Sequence, residues 1–92
     1  MEVSIVMPCL NEAETIDSCI KKASSVLKDN NLEGEIIVAD NGSTDNSAEV
    51  AKRLGARVVF EKTKGYGCVY QKGISEAKGK YIIIGDSDDT YD

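Results

Sequence analysis

Short apolar runs alternate along the chain with longer stretches of helical periodicity. The first run, Val3 to Met7, ends at Pro8, and later runs lie at 35–40, 57–61 and 80–85. Between them, apolar residues recur every three or four positions, which is the spacing of one buried helix face. The pattern predicts four strands and three helices in the order βαβαβαβ.

The helix ends are predicted from turn and capping residues. The first helix is expected to begin near Ala13 and to end before Gly34, and the spacing of Asn11 and Glu14 predicts a variant of the capping box. The second helix is expected to stop at Gly55, and the third to span 67–77. The side chains expected to cap the second helix are Ser43, Thr44 and Asp45.

The strands themselves predict the fold class. Strands that are continuous apolar runs are buried on both faces, which is typical of a parallel sheet covered by helices. Right-handed crossovers then give an α/β fold with a doubly wound, mainly parallel sheet. Ligands of such sheets bind beyond the carboxyl ends of the strands, here the segments 8–12, 40–45, 62–67 and 86–89.

Composition narrows the functional classes. The 92 residues allow one small domain, and no apolar run approaches the ~20 residues that a membrane helix needs. The net charge of −5 argues against a phosphate-neutralising nucleic-acid surface. There is no histidine, and the three cysteines do not have the spacing of a disulfide framework or a zinc site. Reduced thiols favour a cytoplasmic location, and a membrane-associated parent protein stays open.

An acidic cluster follows the fourth predicted strand. Asp86, Asp88 and Asp89 lie within four residues, and carboxylates so close together raise one another's pKa or recruit a cation. Carboxylate oxygens suit Mg²⁺ or Mn²⁺. A solvated acidic loop is the alternative, but the place of the cluster at a strand's carboxyl end favours the metal.

The other three segments carry polar groups suited to a nucleotide. Asp40 can accept hydrogen bonds from a base or ribose, and Asn11 and Glu12 can contact a base or sugar, or else cap the first helix. Lys62 and Lys64 can offset the charge of a diphosphate, although a plain turn would explain them equally well. The glycine patterns of dinucleotide-binding and phosphate-binding loops are absent.

Four motifs, taken in order, resemble the GT-A-fold family 2 glycosyltransferases, over essentially the whole chain. The stretch 65–92 is most similar to the dolichol-phosphate or polyprenyl-phosphate mannosyltransferase branch. The motifs are Pro8-x-x-Asn11-Glu12, the run Asp40 to Asp45, Gly65-Tyr66-Gly67, and Gly79-Lys80-Tyr81 leading into Asp86-Ser87-Asp88.

The resemblance implies roles for individual residues. It implies that Asp40 binds the base, and that Asp86 and Asp88 form a D-x-D motif for the ribose or a diphosphate-bound Mg²⁺ or Mn²⁺. The residues implied to line the nucleotide pocket are Pro8, Leu10, Glu12 and Val38. With the segments above, the predicted nucleotide-binding set also includes Asn11, Asn41, Lys64 and Ser87.

The resemblance further implies the strand order 3-2-1-4 and an inverting, metal-dependent reaction. A sugar would pass from a UDP- or GDP-sugar to a polyprenyl phosphate or a saccharide. The catalytic base is expected beyond residue 92, so residues 1–92 are expected to be the nucleotide-sugar-binding, N-terminal part of a GT-A domain and to be inactive alone.

The same residues leave two alternative functional classes to consider, and they also predict an oligomeric state. A non-catalytic module that binds a nucleotide or nucleotide-sugar stays open. A receiver-type phosphate switch is disfavoured, because its acids would follow the first strand, whereas here they follow the second and fourth. The apolar fourth strand, expected at the sheet edge, predicts a homodimer through that strand, with a monomer whose fourth strand frays as the alternative.

Overall fold

The computed structural model describes residues 1–85, which fold as an α/β unit. The elements are β1 (Val3–Cys9), α1 (Ala13–Asp29), β2 (Gly34–Asp40), α2 (Ser47–Arg53), β3 (Arg57–Phe60), α3 (Tyr66–Glu76) and β4 (Tyr81–Ile84). No helix in this part of the chain is long and apolar enough to cross a membrane.

The four described strands form one parallel sheet in the order β3-β2-β1-β4. The predicted fold class and strand order are therefore confirmed. In the register, Cys9 is opposite Asp40, and Asp40 is opposite Phe60. The carboxyl ends of the two central strands thus meet side by side, and this edge carries three of the four segments predicted to bind a ligand.

Side-chain alternation divides the core into two layers. Ile5 and Met7 of β1 pack with α1 and α2 on one face of the sheet. On the other face, Val6 of β1 packs with Val69 of α3 in a smaller cluster. Gly73 allows α3 to lie this close, because a Cβ at that position would stand 2.3 Å from Cγ1 of Val6. This smaller cluster is the part of the core that lies between the sheet and α3.

The fourth strand departs from the predicted burial. Its residues, Tyr81 to Ile84, are between 40% and 69% exposed, although the apolar run predicted a strand covered on both faces. In the described residues β4 pairs with β1 alone. Its apolar character is therefore not explained by burial within residues 1–85.

The predicted cap of α1 is wrong, and the predicted capping of α2 holds for only one of the three residues. The N-cap residue of α1 is Glu12 and that of α2 is Asn46, and neither side chain caps its helix. Asn11 adopts a left-handed conformation with φ of 53°, and its carboxamide oxygen accepts the amides of Thr44 and Asp45 in the loop after β2. Among the three residues expected to cap α2, Asp45 accepts a hydrogen bond from the amide of Ser47 at 2.9 Å.

Candidate functional site

The loops that follow β1 and β2 are fastened together by Asn11. Its carboxamide oxygen accepts hydrogen bonds from the amides of Thr44, at 2.7 Å, and Asp45, at 3.2 Å. In return, the amide of Asn11 donates to Oγ of Ser43 at 2.9 Å. Asn11 is therefore a loop-fastening residue, and its carboxamide oxygen is already occupied.

Two backbone amides at the start of α1 also donate hydrogen bonds to side chains that follow β2. Glu12 donates its amide to Oγ of Ser47 at 2.9 Å, and Ala13 donates to Oδ2 of Asp45 at 3.3 Å. Hydrogen bonds from the Ser47 hydroxyl and amide hold the pKa of Asp45 below its usual range. The helix is thus capped across the sheet by the neighbouring loop.

Asp40 is buried at the end of β2, with 2% of its surface exposed. Its Oδ2 accepts hydrogen bonds from the amides of Gly42, at 3.1 Å, and Ser43, at 2.9 Å. Its Oδ1 is buried and has no hydrogen-bond partner in the described residues. Since buried polar atoms are normally satisfied, this oxygen is an acceptor that the fold of residues 1–85 leaves unsatisfied.

Cys9 lies beside Asp40 in the register and is also buried. Burial raises the pKa of its thiol to about 11; hydrogen bonding with Ser47 opposes this rise, and the nearby Asp40 charge adds to it. The thiol therefore stays protonated at neutral pH. Because the thiolate is the nucleophilic form, Cys9 is a packing residue at this edge.

A third loop, between β3 and α3, is held by Asn41. The side-chain amide of Asn41 donates to the carbonyls of Glu61 and Thr63, both at 2.9 Å, and its carboxamide oxygen accepts the amide of Gly65 at 3.3 Å. Lys64 places its ammonium 2.9 Å from the carbonyl oxygen of Asn41. Asn41 therefore shapes the site through its hydrogen bonds and fixes Lys64 beside it.

These three loops surround a cavity of about 210 Å³ on the α3 side of the sheet. Its lining consists of Pro8, Cys9, Leu10, Glu12, Asn41, Lys64, Gly65, Tyr66 and Val69. The wall is mostly apolar, with one carboxylate, from Glu12, and one ammonium, from Lys64. Neither charged group forms an ion pair with a side chain of residues 1–85. The cavity thus offers an acceptor and a donor whose charges are both unneutralised.

The structure gathers half of the predicted nucleotide-binding residues around this cavity: Pro8, Leu10, Glu12, Asn41 and Lys64. Asn11 and Asp40 lie in the adjoining loops and do not line it. Val38 is fully buried in the core with α1 and α2, because alternation along β2 turns it away from the cavity. Asp86, Ser87 and Asp88 lie outside the described residues.

Sequence reasoning did not include Gly65, Tyr66 or Val69 among the site residues. The Gly65-Tyr66-Gly67 motif had indicated this loop, but nothing in its spacing showed that the tyrosine ring would face the same cavity as Leu10. Within residues 1–85, no three acidic, cysteine or histidine side chains cluster in a way that could hold a metal ion. The predicted metal ligands follow β4 in the sequence.

Comparison with known proteins identifies the family. Residues 4–92 match the family model described as glycosyl transferase family 2. The chain belongs to glycosyl transferase family 2. Among curated members of this family, the low-salt glycan biosynthesis hexosyltransferase of Haloferax volcanii is 43% identical over 90 residues, covering 98% of this chain and 22% of the relative. The cholesterol galactosyltransferase of Borreliella burgdorferi is 39% identical over 95 residues, covering 97% and 25%.

A solved structure gives the same picture. The glucosyl-3-phosphoglycerate synthase of Mycobacterium tuberculosis in complex with UDP superposes with a TM-score of 0.82 at 34% identity, over 95% of this chain and 34% of that one. The same enzyme has been solved with UDP and Mn²⁺ and with UDP and Mg²⁺. The chain thus spans about a third of that structure and a smaller share of the two curated relatives above.

The relatives differ in the sugars that their names give. One is a hexosyltransferase, one a galactosyltransferase and one a glucosyl-3-phosphoglycerate synthase. The family model and the superposed structure establish the family and the GT-A-like fold, but the relatives' names do not agree on one sugar. Assignment to the dolichol-phosphate or polyprenyl-phosphate mannosyltransferase branch stays a prediction.

Proposed function

We propose that the carboxyl-edge cavity binds the nucleotide of a UDP- or GDP-sugar, and that the whole protein transfers the sugar with inversion to a polyprenyl phosphate or a saccharide. One observation carries the proposal: against an apolar wall, the cavity holds a carboxylate, Glu12, and an ammonium, Lys64, that form no ion pair within residues 1–85. A base is planar and apolar on its faces, and its edge carries both carbonyl oxygens and N–H groups. These groups match Lys64 as a donor and Glu12 as an acceptor.

The fastened loops support the same proposal, because binding is tighter when a site is ordered in advance. Asn11 and Asn41 tie three separate loops to one another across the sheet edge. Beside the cavity, the buried Oδ1 of Asp40 is left without a partner in residues 1–85. In this proposal Asn11, Asn41 and Asp40 act by holding the loops, and Pro8, Leu10, Glu12 and Lys64 contact the nucleotide.

The proposal includes a divalent metal ion, which the acidic residues after β4 would bind. Gly85, the last described residue, donates its amide to the carbonyl of Val6 at 2.8 Å, so β4 ends at the same edge of the sheet as the cavity. Asp86 and Asp88 follow directly and offer the oxygen ligands that Mg²⁺ or Mn²⁺ prefers. A bound ion would supply Lewis-acid stabilisation of the departing diphosphate, while Glu12 and Lys64 orient the nucleotide.

Titration calorimetry with UDP and GDP tests the donor site. We expect one of them to bind in the presence of Mn²⁺, and Lys64→Met to weaken it about 10-fold or more, because a hydrogen bond from a charged group contributes about 1.5–3 kcal/mol. Lys62→Met is the matched control, since this neighbouring lysine does not line the cavity. Asp88→Asn should remove the dependence on Mn²⁺. Failure of both nucleotides to bind at millimolar concentration would refute the proposed function.

We also propose that the 92-residue chain forms a two-fold dimer through β4. The amides of Tyr81 and Gly85 donate to the carbonyls of Glu2, just before β1, and Val6, within it, so strand alternation turns those of Ile82 and Ile84 outward, away from β1. Within residues 1–85 these two amides are open to a second copy. The four exposed apolar side chains of β4 favour such pairing at an edge that no other strand of residues 1–85 covers.

Sedimentation of proline variants tests the dimer. Ile82→Pro should dissociate it, because proline removes an outward N–H and spares the ladder to β1. Phe60→Pro on β3 is the matched control, since alternation from the Glu61 amide, which donates to β2, also turns the Phe60 amide outward. A wild-type chain that stays monomeric from micromolar to millimolar concentration would contradict this proposal.

A further inference from the structure

Tyr66 is an exposed aromatic residue on the wall of the cavity. It begins α3 and is 72% exposed, and its only ring contact among residues 1–85 is Tyr70, whose ring centroid is 6.3 Å away. Its hydroxyl has no hydrogen-bond partner in the same part of the chain. A large ring left so uncovered loses the burial that normally stabilises an aromatic side chain, so folding alone does not account for its placement.

Leu10 is the second exposed apolar side chain at this cavity. It is 43% exposed and comes from the loop after β1, whereas Tyr66 is the first residue of α3. Single exposed apolar residues are common on protein surfaces. Two of them line one cavity although they are more than fifty residues apart in the sequence, so two separate segments of the chain give this cavity exposed apolar surface.

The backbone holds Tyr66 in a defined place. The preceding residue, Gly65, has φ of 125°, which a residue with a side chain rarely adopts, and its amide donates to the carboxamide oxygen of Asn41. The carbonyl of Gly65 accepts the amide of Val69 at 3.2 Å in the first turn of α3. The ring is therefore presented by an ordered turn that is anchored to β2.

The size and position of the cavity indicate which part of a nucleotide enters it. At about 210 Å³ it is smaller than the roughly 300–1,000 Å³ that holds a complete drug-sized ligand. It lies over the ends of β1 and β2, whereas β4, which leads to Asp86 and Asp88, flanks β1 on the other side. A diphosphate near those acids would direct the base, at the other end of the ligand, towards Leu10 and Tyr66.

We infer that Tyr66 stacks on the base of the donor nucleotide and that Leu10 covers the opposite face of that base. This inference rests on the proposed function, and it assigns a ligand-contacting role to a residue outside the set predicted from the sequence. Base–aromatic stacking contributes about 1–3 kcal/mol per base when measured by alanine substitution. That range corresponds to about a 5- to 150-fold loss of affinity for Tyr66→Ala.

The experiment measures UDP and GDP affinity with Mn²⁺ for the wild type, Tyr66→Ala, Tyr66→Phe and Tyr81→Ala. Tyr66→Ala should weaken the nucleotide that binds about 5- to 150-fold, whereas Tyr66→Phe, which keeps the ring, should stay close to wild type. Tyr81→Ala is the control, because this tyrosine is similarly exposed, at 69%, but lies on β4. Since Tyr66 is exposed, circular dichroism should show the fold unchanged.

Proton NMR of the bound nucleotide adds a readout that a merely structural role would not affect. Stacking on a ring shifts the base protons upfield, and Tyr66→Ala should abolish that shift. Unchanged affinity in Tyr66→Ala, or an equal loss in Tyr66→Phe, overturns the inference while the proposed function stands. If neither nucleotide binds the wild type, the proposed function fails and this inference fails with it.

Discussion

Hydrogen-bond networks close both edges of the sheet, but within residues 1–85 only the amino edge balances its charges. There, Arg57 pairs with Glu35 at 3.2 Å and with Glu76 at 3.1 Å. Ser4 is fully buried, donates to the Glu35 carboxylate at 2.7 Å and accepts the amide of Gly79 at 2.8 Å. The network ties α3 and the start of β4 to the first two strands.

The carboxyl edge is just as connected, yet it leaves charged groups without partners. Lys64 donates to a backbone carbonyl, and one oxygen of Asp40 is buried without a partner in residues 1–85. A buried polar atom left this way, such as the Asp40 oxygen, is costly unless a ligand or a water completes it. The difference indicates that the amino edge serves stability and the carboxyl edge serves binding, and it can be tested by changing each edge separately.

The largest expected effect comes from Gly79→Ala at the amino edge. An added Cβ would lie 2.6 Å from the backbone nitrogen of Ser4 and the backbone carbon of Val3, so the network must open. We expect a loss of about 1–3 kcal/mol in the free energy of unfolding, measured by urea denaturation. Gly67→Ala is the matched control, because nothing lies within 4 Å of its Cβ position in α3. Equal losses in both variants would contradict this role of the amino edge.

The elements of the fold could be predicted because their signals are local. The period of apolar residues placed the start of α1 at Ala13 and the run of β2 at Glu35 to Asp40, each within one residue of the structure. The caps could not be predicted in this way. Asn11 bonds to residues more than thirty positions away, and the capping-box spacing describes only contacts within one turn.

The next largest effect is expected from Asn11→Gly at the carboxyl edge. Glycine keeps the left-handed backbone at low cost but removes the carboxamide that fastens the two loops. We expect about 1–2 kcal/mol of lost stability and a larger relative loss of affinity for the nucleotide that binds, UDP or GDP, because Leu10 and Glu12 lose their fixed positions. Titration calorimetry and urea denaturation measure the two effects.

Asn31→Gly provides the control for that change. Asn31 has the same residue type and nearly the same backbone conformation, with φ of 57°, but it lies in the turn between α1 and β2. It should therefore lose neither the loop fastening nor the affinity for UDP. A similar loss of affinity in both variants would show that backbone freedom, and not the fastening by Asn11, controls the site.

The site was only partly predictable, for reasons that particular residues show. Pro8, Leu10, Glu12, Asn41 and Lys64 follow strand ends, and a parallel sheet brings such ends together. Val38 was placed in the pocket by resemblance, but alternation along β2 turns its side chain to the α1–α2 face. Tyr66 was missed because the path of the β3–α3 loop depends on its hydrogen bonds to Asn41, which no local pattern encodes.

The smallest expected effect is a pH dependence that belongs to the amino edge. Burial alone would raise the pKa of Glu35, but hydrogen bonds from Ser4, the Lys78 amide and Arg57 outweigh it and lower the pKa below its ordinary value of 4.5. The folded state therefore binds this proton less readily than the unfolded state. The resulting stabilisation is complete above that ordinary value and is lost as the pH falls below it towards the folded-state pKa.

Glu35→Gln separates this contribution from the general effect of acid. At neutral pH the variant should be less stable than the wild type, and the gap in unfolding free energy should narrow as the pH falls from about 6 to about 3. Glu49→Gln, which removes an exposed acid in α2, should show a smaller gap. UDP affinity should be unchanged in Glu35→Gln, because the network that it weakens lies at the opposite edge from the cavity. A variant that lost nucleotide binding while keeping its stability would reverse the division of roles between the two edges.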